Sequence, residues 1–170
     1  MPHKIIHTHP LRAALFAAMV LSLGACAQVE DALNQAADGE VGLSHYGSTN
    51  SHNAGQNCMS CHTAGGAGRG AFTLAGTVYS GGNVAPNTTV YIYSDQNFSN
   101  RVATLEVDGK GNFYTVATIS GLVENANGFV DGVFVKVEGA DGQIRSMSGT
   151  VSNGACNECH SPSGGVGRIH

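Results

Sequence analysis

Two stretches of the chain set two thiols and an imidazole in the same order. They are "NCMSCHTAGGAGRG", Asn57 to Gly70, and "ACNECHSPSGGVGR", Ala155 to Arg168. Each reads C-x-x-C-H, followed by small residues, Gly-Gly and Gly-Arg. C-x-x-C-H is the attachment signature of c-type haem. Two thiols at that spacing reach the two vinyl groups on one porphyrin edge, and the next residue places an imidazole under the iron. Cys58 and Cys61 with His62, and Cys156 and Cys159 with His160, therefore predict two covalently attached haem c groups. A disulfide does not require the His, and structural zinc sites usually space their ligands differently.

Beyond Cys26 the chain holds five His: His45, His52, His62, His160 and His170. Two are the proximal candidates. His45, His52 and His170 are the candidates for the two distal positions, and His52 lies six residues before Cys58, a place where multihaem cytochromes often carry a distal ligand. The reading is bis-His ligation with low potentials, against Met147, whose thioether would raise the potential but whose strand-like context reads as core. Met59 sits inside its own C-x-x-C loop and cannot reach its own iron. Arg69 and Arg168 stand after the motifs at near-matching places and suit haem propionates. The pairs Gly65–Gly66 and Gly164–Gly165 would let backbone pass close to a porphyrin.

These motifs bracket a different kind of sequence. "FTLAGTVY", "TTVYIYS", "RVATLEV", "NFYTVAT", "GVFVKVE" and "IRSMSGTV" are β-branched and aromatic runs, with a further strand possible in "LVENANGFV". Ala103, Leu105 and Val107 alternate with Thr104 and Glu106, and Val133, Val135 and Val137 with Phe134 and Lys136. Such alternation gives one buried face per strand, and the fold class is mainly β, an antiparallel sandwich. "DGKGN" at Asp108–Asn112 and "GADGQ" at Gly139–Gln143 read as hairpin turns. The strand count leaves open whether the two motifs meet at one end of the sandwich or lie at opposite ends.

"AGTVYSGGNVAPNTTVYIYSD" followed by "VDGKGNFYT" resembles the carboxypeptidase regulatory-like, transthyretin-like β-sandwich domain, over roughly residues 74–118. The flanking "NCMSCH" and "GACNECH" resemble c-type cytochromes that carry such a sandwich between two haem motifs. That resemblance implies electron transfer between redox proteins, without naming donor or acceptor.

The N-terminus supplies an address. "AALFAAMVLSLGA" is an apolar run of 13 residues, short for a membrane span and right for a signal-peptide core. It ends in "LGAC", Leu23 to Cys26, which resembles the lipobox of bacterial lipoproteins and implies lipidation of Cys26. Several acyl chains make such an anchor stable. Ala27 in place of Asp points to the outer membrane of the cell envelope.

The organisation is then a signal peptide over 1–25, a tether over 26–44, a first haem segment over 45–70, a sandwich over 71–150 and a second haem segment over 151–170. Past Cys26 the chain has 6 Lys plus Arg against 12 Asp plus Glu, a balance of −6. With no basic stripe, that balance excludes a nucleic-acid binder. A spare His also permits a homopolymer in which an axial His is donated between subunits. Two other classes compete with electron transfer: a haem enzyme of peroxidase type, needing an open iron and an acid–base group, and a non-redox sandwich clipped by metal or disulfides.

Overall fold

The computed structural model describes residues 42–169. The signal peptide, Cys26, the tether up to residue 41 and His170 lie outside the described residues. In chain order the strands are β1 (Leu74–Thr77), β2 (Tyr79–Ser80), β3 (Asn83–Val84), β4 (Thr89–Tyr93), β5 (Arg101–Glu106), β6 (Asn112–Thr115), β7 (Phe134–Glu138) and β8 (Ile144–Ser146). A 3-10 turn, Cys58–Ser60, precedes them, and a short helix α1, Cys156–His160, comes after them. The protein is mainly β, and every strand pair is antiparallel.

β5-β4-β7-β8 form a four-stranded sheet, β1-β6 a two-stranded one, and β2-β3 a small hairpin. The period-two pattern does what it predicts. On β4, Val90 and Ile92 are fully buried, and each meets apolar residues on both flanks: Val90 opposes Leu105 and Val137, Ile92 opposes Ala103 and Val135. Leu74, Val78 and Phe113, from β1 to β6, enter the same core, so the two sheets share one apolar interior. Each such side chain contributes about 1.5–3 kcal/mol by leaving water. The alternate residues line the outer face, where Lys136 lies 4.0 Å above the Phe98 ring.

Three local readings change. "DGKGN" is a tight turn, but it carries the chain from β5 in the large sheet to β6 in the small one, so it joins no hairpin. The Asp108 carboxylate builds it by accepting from the Lys110 and Asn112 amides at 2.8 and 3.0 Å. "LVENANGFV" forms no strand; it closes through a single Glu124–Val130 bridge around the Asn125 side chain. Residues 42–44 are not tether. Ser44 is buried, its amide donates to the Tyr114 carbonyl, and Leu43 bridges Thr115 on the outer edge of β6. "GADGQ" is the hairpin between β7 and β8, as its residues predict.

The small sheet is the platform for both terminal segments. The chain from Leu43 enters along β6. On the free edge of β1, Ala75 bridges Ala155, and the Tyr79 amide, just past β1, donates to the Ile169 carbonyl at 2.7 Å. The two C-x-x-C-H motifs therefore come to the same sheet and meet there.

Candidate haem-attachment segments

Both motifs wind into a single turn of helix. In the first, the Asn57 side chain caps the turn by accepting from the Met59 amide, and the amides of Cys61 and His62 both donate to the Cys58 carbonyl. In the second, Cys156, Cys159 and His160 lie on α1.

Past each His the chain closes the same hydrogen-bonded loop. His62 Nδ1 is 2.9 Å from the Arg69 carbonyl, and His160 Nδ1 is 2.8 Å from the Gly167 carbonyl. The Gly68 amide donates to the Cys61 carbonyl, and the Val166 amide to the Cys159 carbonyl. The Gly66 amide donates to Thr63, and the Gly164 amide to Ser161. Every equivalent pair is separated by the interval that separates Cys58 from Cys156. The loops thus repeat in three dimensions, not only in letters.

The loops also correct the alignment of the two motifs. Gly66 matches Gly164, because a Cβ at either would fall on the carbonyl oxygen of the second Cys, at 2.2 and 2.1 Å. Gly65 and Gly165 have open space around a Cβ. Gly66 and Gly164 are the glycines that both loops need at an equivalent place, and the paired glycines are out of register by one. Arg69 consequently matches Gly167 rather than Arg168. The Arg168 guanidinium lies 4.8 Å from the Tyr79 ring centroid and donates to the Gly82 carbonyl at 3.0 Å. It fastens the end of the chain to the β2-β3 hairpin.

A carbonyl oxygen only accepts, so each Nδ1 carries the proton and each Nε2 keeps its lone pair. A fixed Nδ1–H to a backbone carbonyl is the usual support behind a metal-ligating imidazole. Two imidazoles with the same backing are suited to ligating iron through Nε2.

Among the described residues the four thiols are unpaired. Cys61 and Cys159 are exposed and Cys58 is partly buried, while Cys156 is packed in the core. Burial pushes the Cys58 thiol up and the Cys156 thiol to about 12. Among the described residues no three Cys, His, Asp or Glu side chains converge as an ion site would need.

The other candidate ligands divide. The His52 ring lies 5.7 Å from that of His62, which stacks face to face on Phe72 at 4.1 Å. His52 is thus the imidazole that the fold brings to the first motif. His45 faces Glu106 on β5, with 3.8 Å between Nδ1 and the carboxylate. Met147 packs against the core beside β7, and its amide donates to the Val135 carbonyl. No protein-family model, curated protein or solved structure matches the chain.

Some contributors carry no signal in the sequence. Phe72 is an ordinary aromatic until the fold stacks it on His62. Asn157 is an arbitrary residue of a C-x-x-C spacer until burial at 2 % exposure shows what its amide does.

Proposed function

We propose that this chain is a dihaem c-type cytochrome that transfers electrons at the bacterial cell envelope, held to the outer membrane by a lipidated Cys26. The observation that carries the reading is the repeated imidazole support: each C-x-x-C-H ends in a His whose Nδ1 is tied to a carbonyl seven residues on. When bound, haem supplies a one-electron iron couple whose potential the protein sets through axial ligands and burial. The chain's own residues attach it through Cys58 and Cys61 or Cys156 and Cys159, and orient it through His62 or His160. His52 is the proposed sixth ligand of the first iron, with His170 proposed for the second. No substrate pocket is required, and the protein is read as a carrier rather than an enzyme. Its partners are other redox proteins, and donation of an axial His between subunits would make a homopolymer. The transthyretin-like sandwich is the proposed scaffold of this carrier.

The test is the intact mass of the full chain exported by a host that attaches haem c. Two haems are expected in the wild type. One is expected in Cys58→Ala/Cys61→Ala and one in Cys156→Ala/Cys159→Ala. Unmodified thiols at either motif in the wild type would contradict the proposal.

A further inference from the structure

The two motifs are joined by one buried side chain. Asn157, the residue after Cys156, uses all its polar groups. Its Oδ1 accepts from the Thr77 amide at 3.0 Å. Its Nδ2 donates to the Gln56 carbonyl at 2.8 Å and to Thr77 Oγ1 at 2.9 Å. Gln56 lies two residues before Cys58, so this one side chain spans from one haem segment to the other. Thr77 Oγ1 also accepts from the Gly55 amide and donates to Asn112 Oδ1. Asn112 in turn donates to Ser51 Oγ at 2.9 Å.

Thr77, Asn112 and Asn157 are at most 2 % exposed, and this network is fully paired. A buried polar network of that kind fixes one arrangement, since any shift leaves a costly orphan. The contact is close elsewhere too. A Cβ on Gly55 would fall 2.3 Å from the Tyr79 hydroxyl and 3.1 Å from Pro162, just past the second motif.

We propose that Asn157 is a positioning residue that clamps the two C-x-x-C-H segments into one unit and so couples the two haem sites. This rests on the dihaem reading above. Only two Cα steps, about 3.8 Å each, separate Gln56 from Cys58, and one separates Asn157 from Cys156. Haems attached at Cys58 and Cys61 and at Cys156 and Cys159 would then be held by segments that share one buried clamp. An electron added to one would then disfavour an electron on the other. For charges about 10 Å apart at an effective dielectric of about 20, the effect is on the order of tenfold in the reduction equilibrium, or about 59 mV for one electron.

The test compares redox titrations of the wild-type holoprotein, the Cys58→Ala/Cys61→Ala chain and Asn157→Ala. In the wild type the second haem should be harder to reduce, by about tenfold, than in the chain lacking the first haem. Asn157→Ala should keep both haems and lose most of that interaction. In the haem-free protein the same substitution should speed hydrogen exchange at the Gly55 and Thr77 amides. Should Asn157→Ala fail to fold, the near-isosteric Asn157→Asp, which removes the donors to Gln56 and Thr77, takes its place. Two haems titrating independently in the wild type would overturn the coupling while leaving the dihaem reading intact. Full interaction retained in Asn157→Ala would overturn the role of Asn157. A chain without haem would overturn both.

Discussion

The first and second motifs share a skeleton and differ in their surroundings. Each winds one helical turn, a 3-10 turn at Cys58–Ser60 and an α-helix at Cys156–His160, with the same glycine against the second Cys carbonyl and the same imidazole support. The first stands at the edge of the fold, its His62 stacked on Phe72 and near His52, with Cys58 partly exposed. The second is built into the core through Cys156 and Asn157. The difference separates two jobs. Local hydrogen bonds close each loop, and packing decides how firmly that loop is held and what else reaches it.

The shared part breaks most severely at the glycines. Gly66→Ala or Gly164→Ala must displace a backbone carbonyl and with it the imidazole support. Loss of such support typically costs 10–100-fold in ligand binding. Haem occupancy at the altered motif should fall on the order of tenfold in each case while the other motif keeps its haem, as mass spectrometry of proteolytic fragments would read. If only one glycine mattered, the loops would not be equivalent.

The unshared part shows in the haem-free protein. Cys156→Ser buries a hydroxyl, and the Gly154 carbonyl that the thiol meets is 3.8 Å from the sulfur, beyond hydroxyl reach. It should cost about 1–3 kcal/mol, whereas Cys58→Ser should cost under about 1 kcal/mol. Urea midpoints measure both, and equal losses would erase the contrast.

A pH dependence sharpens the same point. Cys156 has its thiol raised by burial from 9.0 to about 12. A raised folded-state value means the contribution is complete below pH 9 and is lost as the unfolded thiol ionises. Haem-free protein should therefore lose stability between about pH 9 and pH 12, and Cys156→Ala should lose less over that window. Thermal unfolding across the range checks it. The smallest effect belongs to Arg168→Ala, which removes the cation over Tyr79 at a cost of about 0.5–1 kcal/mol without changing haem content. A lost haem there would return Arg168 to the propionates.

The sheet was legible because alternation is local: Val133, Val135 and Val137 declare one face without reference to any partner. The partners were not. Asp108 marks a turn by its own amide bonds, but nothing local states that β6 will leave β5 for β1, because pairing is settled by packing across the core. β2 and β3 are two residues each, too short to show a pattern. The two C-x-x-C-H motifs were legible because their letters repeat in the same order. Their register beyond His62 and His160 was not, since the repeated Gly-Gly letters align one position away from the glycines that the loops need. Asn157 was hidden because its value lies in burial and in Gln56, about a hundred residues away.

The central claim is that both motifs hold a ligated haem for carrying electrons. The most direct measurement is the visible spectrum of the full chain from a haem c-attaching host, taken oxidised, reduced, and reduced under carbon monoxide. The account predicts two low-spin haems per chain, a sharp reduced α-band and no change with carbon monoxide. A five-coordinate haem that binds carbon monoxide would contradict the carrier and turn that motif toward catalysis, and a colourless protein would contradict haem attachment itself.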